Sequence, residues 1–163
     1  MITINVMKED IDFAKNQIEE FKKIEAGSWR YSGVEAWRGI VCEMIASKWL
    51  TEKFNVEEEA TGLLPTGIED EYDLIVNGKK VEIKSATKNY FRSIMPKIHD
   101  VRNHPKDIYI GVKYNETVEP NQIQIIGYID RDSILNYPVE QNKGAPYYNI
   151  PIIDLTPIEN LEV

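Results

Sequence analysis

The chain has 163 residues, a length suited to one domain with its own core, and its 42% hydrophobic and 28% charged content is that of a soluble globular protein. No apolar run reaches the roughly 18–20 residues of a membrane span, and Cys42, the single cysteine, has no internal disulfide partner. A net charge of −8 excludes a general nucleic-acid coat.

The opening MITINVMKEDIDF carries early acids and lacks a basic head with an apolar stretch behind it, so no secretory signal is expected. With the lone cysteine, this points to a reducing, cytoplasmic setting. Ile11, Ala14, Ile18, Phe21 and Ile24 recur at helical spacing, which predicts a helix over 9–25 stopped by Gly27. Residues 29–33 read as a connector. A second helix is predicted over 34–53, with Trp37, Val41, Met44, Ile45 and Trp49 on its apolar face. Residues 54–60 read as a strand, and TGLLPTG (61–67) as a loop that lacks the Lys-Ser/Thr ending of a phosphate loop.

Next come two strands, 71–76 and 79–86, joined by Asn77-Gly78, the strongest hairpin signal in the chain. A helical or irregular segment interrupted by Pro96 and Pro105 follows, then strands over 107–114 and 122–130 and a short helical turn near 132–136. The tail from Tyr147 is apolar enough to pack back on the body, and its prolines forbid a long helix. The order is helix, helix, three strands, helix, two strands: an α/β fold with a mixed sheet flanked by helices. We read a single domain, with 1–33 an N-terminal helical extension, 34–130 the core and 131–163 a packing tail.

A two-residue Asn-Gly turn sets Val76 opposite Lys79, Leu74 opposite Val81 and Asp73 opposite Glu82. Alternation then puts Asp73, Ile75, Lys80, Glu82 and Lys84 on one face and the apolar Tyr72, Leu74, Val76, Val81 and Ile83 on the other, where a helix would rest. Opposed side chains on a strand pair have Cβ atoms about 4.5–5.5 Å apart, where like charges repel. A divalent cation between Asp73 and Glu82, with the Ile83 backbone carbonyl as a third oxygen, would cancel that cost. Lys84 shares the face and is placed to orient a water or stabilise developing negative charge, which is sufficient equipment for phosphodiester hydrolysis. In the same register Glu71 faces Lys84.

At these residues the chain resembles the PD-(D/E)XK nuclease superfamily: Asp73 is similar to the first acid of the motif and Glu82-Ile83-Lys84 to its (D/E)XK, with Tyr72 where the family often has proline. The resemblance covers roughly 34–130. It implies a restriction-endonuclease-like αβββαβ core, Mg²⁺- or Mn²⁺-dependent cleavage of DNA, and often a homodimer; its branches include restriction enzymes, Holliday-junction resolvases and repair nucleases. It also implies a helix glutamate completing the metal site. Glu43 and Glu35 both qualify: Glu43 flanks the stripe of Ile45, Ala46, Trp49 and Leu50, whereas a stripe through Val34, Trp37 and Val41 favours Glu35.

Charge supports a nucleic-acid partner locally. From Lys79 to Lys106 eight basic residues face two acids, Glu82 and Asp100, against 11 basic and 25 acidic residues elsewhere. Lys80, Lys88, Arg92, Lys97 and Arg102 are the candidate phosphate contacts. The alternative is a non-catalytic nucleic-acid-binding or assembly subunit of the same fold, in agreement with the acidity of the chain as a whole.

Overall fold

The computed structural model describes residues 1–24, 33–59, 73–142 and 144–163. The expected Gly27 helix stop, most of the 29–33 connector, the 61–67 loop, and the Glu71 and Tyr72 positions lie outside the described residues. The elements run β1 (Ile2–Asn5), α1 (Lys8–Ile24), α2 (Trp37–Lys53), β2 (Val56–Glu59), β3 (Leu74–Val76), β4 (Lys79–Ala86), β5 (Ser93–Ile94), α3 (Ile98–Asn103), β6 (Ile108–Asn115), β7 (Gln122–Asp130) and α4 (Arg131–Ile134). Short strands β8 (Val139–Glu140), β9 (Tyr147–Tyr148), β10 (Ile150–Pro151) and β11 (Thr156–Pro157) follow, with two single 3-10 turns in the tail. No helix among the described residues is long and apolar enough to cross a membrane.

The main sheet has the order β1-β7-β6-β4-β3-β2, with β11 added on β7. Among the described residues only β4 and β6 pair in parallel and the remaining pairs are antiparallel, so the sheet is mixed. The β3–β4 register is Leu74 on Val81, Ile75 on Lys80 and Val76 on Lys79. Asn77 (φ 48°) and Gly78 (φ 76°) are both left-handed, the backbone that a tight turn matching the twist of its flanking strands requires.

Each face of the sheet has its own apolar layer. Leu74, Val76, Val81, Ile83, Ile110, Val112, Tyr114, Ile123 and Ile125 pack with Val41, Cys42, Ile45, Ala46 and Leu50 of α2. On the opposite face Tyr109 and Ile129 gather Ile94, Val101, Ile134, Tyr148, Ile150 and Leu155 from α3, α4 and the tail.

Three expectations need correction. The first residues are not solely a helical extension: β1 pairs antiparallel with β7, Ile2 on Ile125 and Ile4 on Ile123. Four residues of alternation are too few to distinguish an edge strand from a loop, and the partner lies more than a hundred residues away. The second helix begins at Trp37, and Val34 is 97% exposed, so it contributes nothing to the apolar stripe. The buried face of α2 is Val41, Cys42, Ile45, Ala46 and Leu50, with Trp37, Met44 and Trp49 half-buried at its margins.

The tail packs back as expected, and two paired glycines are the reason it can. Gly111 of β6 and Gly127 of β7 are direct partners. A Cβ on Gly111 would collide with Leu155 Cδ1; one on Gly127 would overlap the Thr156 carbonyl oxygen and stand 2.8 Å from Leu155 Cβ. The obstacle at Gly127 is backbone, which has little room to yield. Gly127→Ala is therefore expected to destabilise by about 2 kcal/mol and to lower Tm by about 4–8 °C. An unchanged thermal melt would contradict this account of the tail.

Candidate functional site

Asp73 immediately precedes β3, where the chain enters the sheet. Its N–H donates to the Val81 carbonyl at 3.0 Å, and its Oδ2 accepts the Ile83 N–H at 2.6 Å. A side-chain carboxylate thus takes the place of a backbone acceptor at the end of the ladder. The clamp fixes Asp73 against the middle of β4, and the residue is only 8% exposed. The N–H and C=O of one strand residue point to the same edge, so the Ile83 carbonyl faces the side on which Asp73 lies.

Glu82, one residue before Ile83, is on the opposite face from the α2 layer, beside its β6 partner Tyr109. Its Oε1 is 2.6 Å from Lys84 Nζ and its Oε2 is 3.5 Å from Lys106 Nζ. The Lys106 side chain is 4% exposed and that of Glu82 12%, whereas Lys84 keeps 26% of its surface in contact with solvent. Glu82 Oε2 is nevertheless buried with no hydrogen-bond partner.

Electrostatics tie these groups together. Burial, then Glu82, then Glu43 push the Asp73 carboxyl up to about 8, against the opposing pull of the Ile83 N–H and Lys84. Burial disfavours the Lys84 ammonium, but Glu82, Asp73 and Asp100 outweigh it and hold its pKa above the usual lysine value. Glu82 and Glu43 therefore act on Asp73, and Glu82, Asp73 and Asp100 act on Lys84.

The helix glutamates separate clearly. Glu43 acts on Asp73 from α2. Glu35 is engaged by Arg38, with N–O distances of 2.8 and 2.9 Å, and Arg38 also donates to the Thr87 carbonyl. Glu35 is thus committed to Arg38, near the far end of β4. The reason is the stripe: with Val34 exposed and α2 starting at Trp37, the buried face is set by the downstream residues, and Glu43 is the glutamate at its margin.

The expected phosphate contacts divide into groups. The Lys80 N–H donates to the Asp107 side-chain Oδ2 at 2.8 Å and the Asp107 N–H donates to the Lys80 carbonyl at 2.9 Å, which fixes the start of β4 against the start of β6. Lys88 lies over the Tyr90 ring at 5.5 Å. Arg92, Lys97 and Arg102 are exposed, and the Arg102 Nε–H donates to the Tyr148 hydroxyl at 3.1 Å. Lys84 and Lys106 belong to the same basic stretch but are turned toward Glu82.

Sequence reading missed Lys106, Asp100 and Tyr109 as neighbours of the site. Lys106 counted only as one of a basic run. Its tether, Lys106 N–H to the Tyr109 hydroxyl at 3.2 Å, is visible only once β6 lies beside β4. Glu71, the expected partner of Lys84, lies outside the described residues; Asp100 of α3 acts on Lys84 here. Cys42 is fully buried, and burial pushes its thiol up to about 12, so it is no nucleophile.

Among the described residues no three His, Cys, Asp or Glu side chains form a ready metal cluster. What the site offers is sparser: the Asp73 and Glu82 carboxylates, the Ile83 carbonyl and Glu43 at the margin. These are hard oxygen donors of the kind taken by a divalent cation that retains waters of its own, as Mg²⁺ does, and a cation there would compete with Lys84 and Lys106 for the Glu82 oxygens. No protein-family model matches the chain, and no curated protein matches it in sequence.

The state of Asp73 has a measurable consequence. Without metal its carboxyl is raised from 3.8 to about 8, so between those values the folded state holds a proton that the unfolded chain releases. The stabilisation contributed by this carboxyl is full below about pH 4 and is lost as pH rises toward 8. Asp73→Asn removes this slope, and thermal melts in EDTA across that range should show wild type losing Tm with pH while the variant stays level. Equal slopes would refute the burial argument.

Proposed function

We propose that this protein is a metal-dependent nuclease that hydrolyses phosphodiester bonds in DNA, with a restriction-endonuclease-like core of the PD-(D/E)XK type. The observation that carries the reading is the buried Asp73 carboxylate clamped on the Ile83 N–H, one residue from the Glu82–Lys84 pair, with Glu43 of α2 acting on it. Burial is the largest cause of the upward shift at Asp73, and a bound cation would offset both the burial and the repulsion from Glu82 and Glu43. Asp73, Glu82 and the Ile83 carbonyl would hold the metal, with Glu43 as a further carboxylate from α2. Bound there, Mg²⁺ or Mn²⁺ would bring positive charge to a scissile phosphate and acidify water.

Lys84 has the second role. It is held charged chiefly by Glu82 and is partly open to solvent, so its ammonium can hydrogen-bond an attacking water or a phosphate oxygen as negative charge develops. Lys106 is a positioning group: it lies on the far oxygen of Glu82 and limits the rotation of that carboxylate. Cutting both strands of a duplex takes two such sites, so the proposal extends to a homodimer acting in the cytoplasm.

One observation favours the second reading, a non-catalytic nucleic-acid-binding or assembly subunit. Both oxygens of Glu82 already face lysines, so the carboxylate is neutralised from within the chain. Plasmid, single-strand and four-way-junction substrates with Mg²⁺ or Mn²⁺ separate the two. The nuclease reading expects cleavage that Glu82→Ala and Lys84→Ala each reduce by at least about a hundredfold, with thermal melts showing both variants folded. Calorimetry should find a Mn²⁺ site that Asp73→Ala abolishes. A folded variant of Glu82 or Lys84 that cuts at the wild-type rate would remove the mechanism.

A further inference from the structure

Beside the acidic site is a cavity that the mechanism above does not use. It encloses about 530 Å³, within the size range of small-ligand sites, and its walls include Arg92, Lys113, Ile126, Ile152, Leu155 and Pro157. No carboxylate is among its described lining residues. The Met1 ammonium at its margin is paired with Glu159. Two cations therefore share one concave surface that is otherwise mostly apolar. Their proximity registers on Lys113, whose pKa is lowered first by burial and then by Arg92, against the opposing pull of the Glu116 carboxylate outside the cavity lining. Lys113 Nζ donates to the Asn89 carbonyl at 3.0 Å, which anchors the ammonium and leaves its remaining protons available.

The position of the cavity relative to Lys84 identifies the ligand. Lys84 and Gly111 are partners across the parallel β4–β6 pair, and Ala86 and Lys113 are the pair two residues on. Tyr109, Gly111 and Lys113 alternate onto the face that carries Glu82 and Lys84. Lys113 thus originates about 7 Å further along that face than Lys84, one strand over. This is comparable to the step between neighbouring phosphates of one nucleic-acid strand. Leu155 packs over Gly111, the β6 partner of Lys84, and also lines the cavity, so one apolar side chain borders both places.

We propose that the Arg92–Lys113 cavity is a nucleotide subsite: the two cations hold the phosphate adjacent to the scissile one, and the apolar wall of Ile126, Ile152, Leu155 and Pro157 receives the attached sugar and base. The proposal rests on the nuclease reading for its substrate and deepens it, because it assigns a second phosphate contact and fixes the direction in which the strand runs from the acids. Lys113 stands outside the basic stretch that suggests a nucleic-acid footprint in the sequence. Arg92 lies within that stretch but is indistinguishable there from its neighbours.

The test reads binding separately from cutting. Fluorescence anisotropy in Ca²⁺ with labelled single-stranded and duplex oligonucleotides should show the Arg92→Gln/Lys113→Gln double variant binding about tenfold more weakly. Its plot of log affinity against log salt should be shallower by about one to two units. Where the wild type cuts, KM for DNA should rise by a similar factor. Arg92 is exposed, so Arg92→Gln alone keeps its fold and should give part of the loss. Thymidine 5′-monophosphate should displace the oligonucleotide from wild type but not from the double variant.

Folded variants with wild-type affinity and salt slope overturn the subsite. So does a mononucleotide that raises wild-type Tm while oligonucleotide affinity ignores both substitutions, since the cavity would then serve a free nucleotide. Wild type that cuts while the variants bind normally sinks the subsite alone. Wild type that binds through Arg92 and Lys113 but cuts nothing with Mg²⁺ or Mn²⁺ sinks the nuclease reading and leaves the subsite standing. Wild type that binds no DNA sinks both.

Discussion

The Asp73 carboxylate bonded to the Ile83 amide is the contact on which the rest of the site depends. An antiparallel ladder normally satisfies each buried N–H with a backbone carbonyl. Here β3 is only three residues long, and a side chain takes over where the ladder ends. The substitution draws a charge-bearing group into the sheet, one residue from Glu82 and within the field of Glu43. A hydrogen bond to a charged group is worth roughly 1.5–3 kcal/mol. Burial and two like charges together outweigh it, and for that reason the Asp73 carboxyl rises rather than falls. The protein retains a local electrostatic conflict that its own residues relieve only in part.

That relief comes from lysines at different depths. Lys106 is buried against one oxygen of Glu82, and Lys84 meets the other from a position still open to solvent. A buried ion pair contributes little net stability because desolvation consumes most of the Coulomb gain. Its effect here is geometric: Glu82 is held in one orientation with one oxygen lacking a hydrogen bond. The conflict and the orphaned atom lie together, and this co-location, more than either feature alone, separates the site from an ordinary acidic surface.

The two-layer sheet explains how such a site coexists with a stable core. The α2 face is continuously apolar and carries most of the packing. The opposite face divides its surface: the cluster around Tyr109, Ile94 and Leu155 covers part of it, and the polar groups of β4 occupy the remainder. Close approach of the tail over Gly111 and Gly127 confines the apolar cover to the β6–β7 side. The chain is acidic overall, and two of its lysines, Lys84 and Lys106, are drawn onto this face by Glu82.

The sequence by itself determined the hairpin and everything local to it. Asn77-Gly78 dictates a turn with two left-handed residues, the turn dictates the register, and strict alternation then dictates which side chains share a face with Glu82. These steps depend on neighbours within about ten residues, so pattern alone carries them. The order of the central strands and the division into helices and sheet were legible for the same reason. Tertiary structure alone decided the rest. β1 is too short to read and becomes a strand only by pairing with β7. Glu43 and Glu35 are both glutamates at the margin of one helix, and only the packing of α2 on the sheet brings the field of one to Asp73 and leaves the other with Arg38. Lys106, Asp100 and Lys113 enter the neighbourhood through the parallel β4–β6 pairing and the α3 crossover, contacts between distant segments that no periodicity encodes.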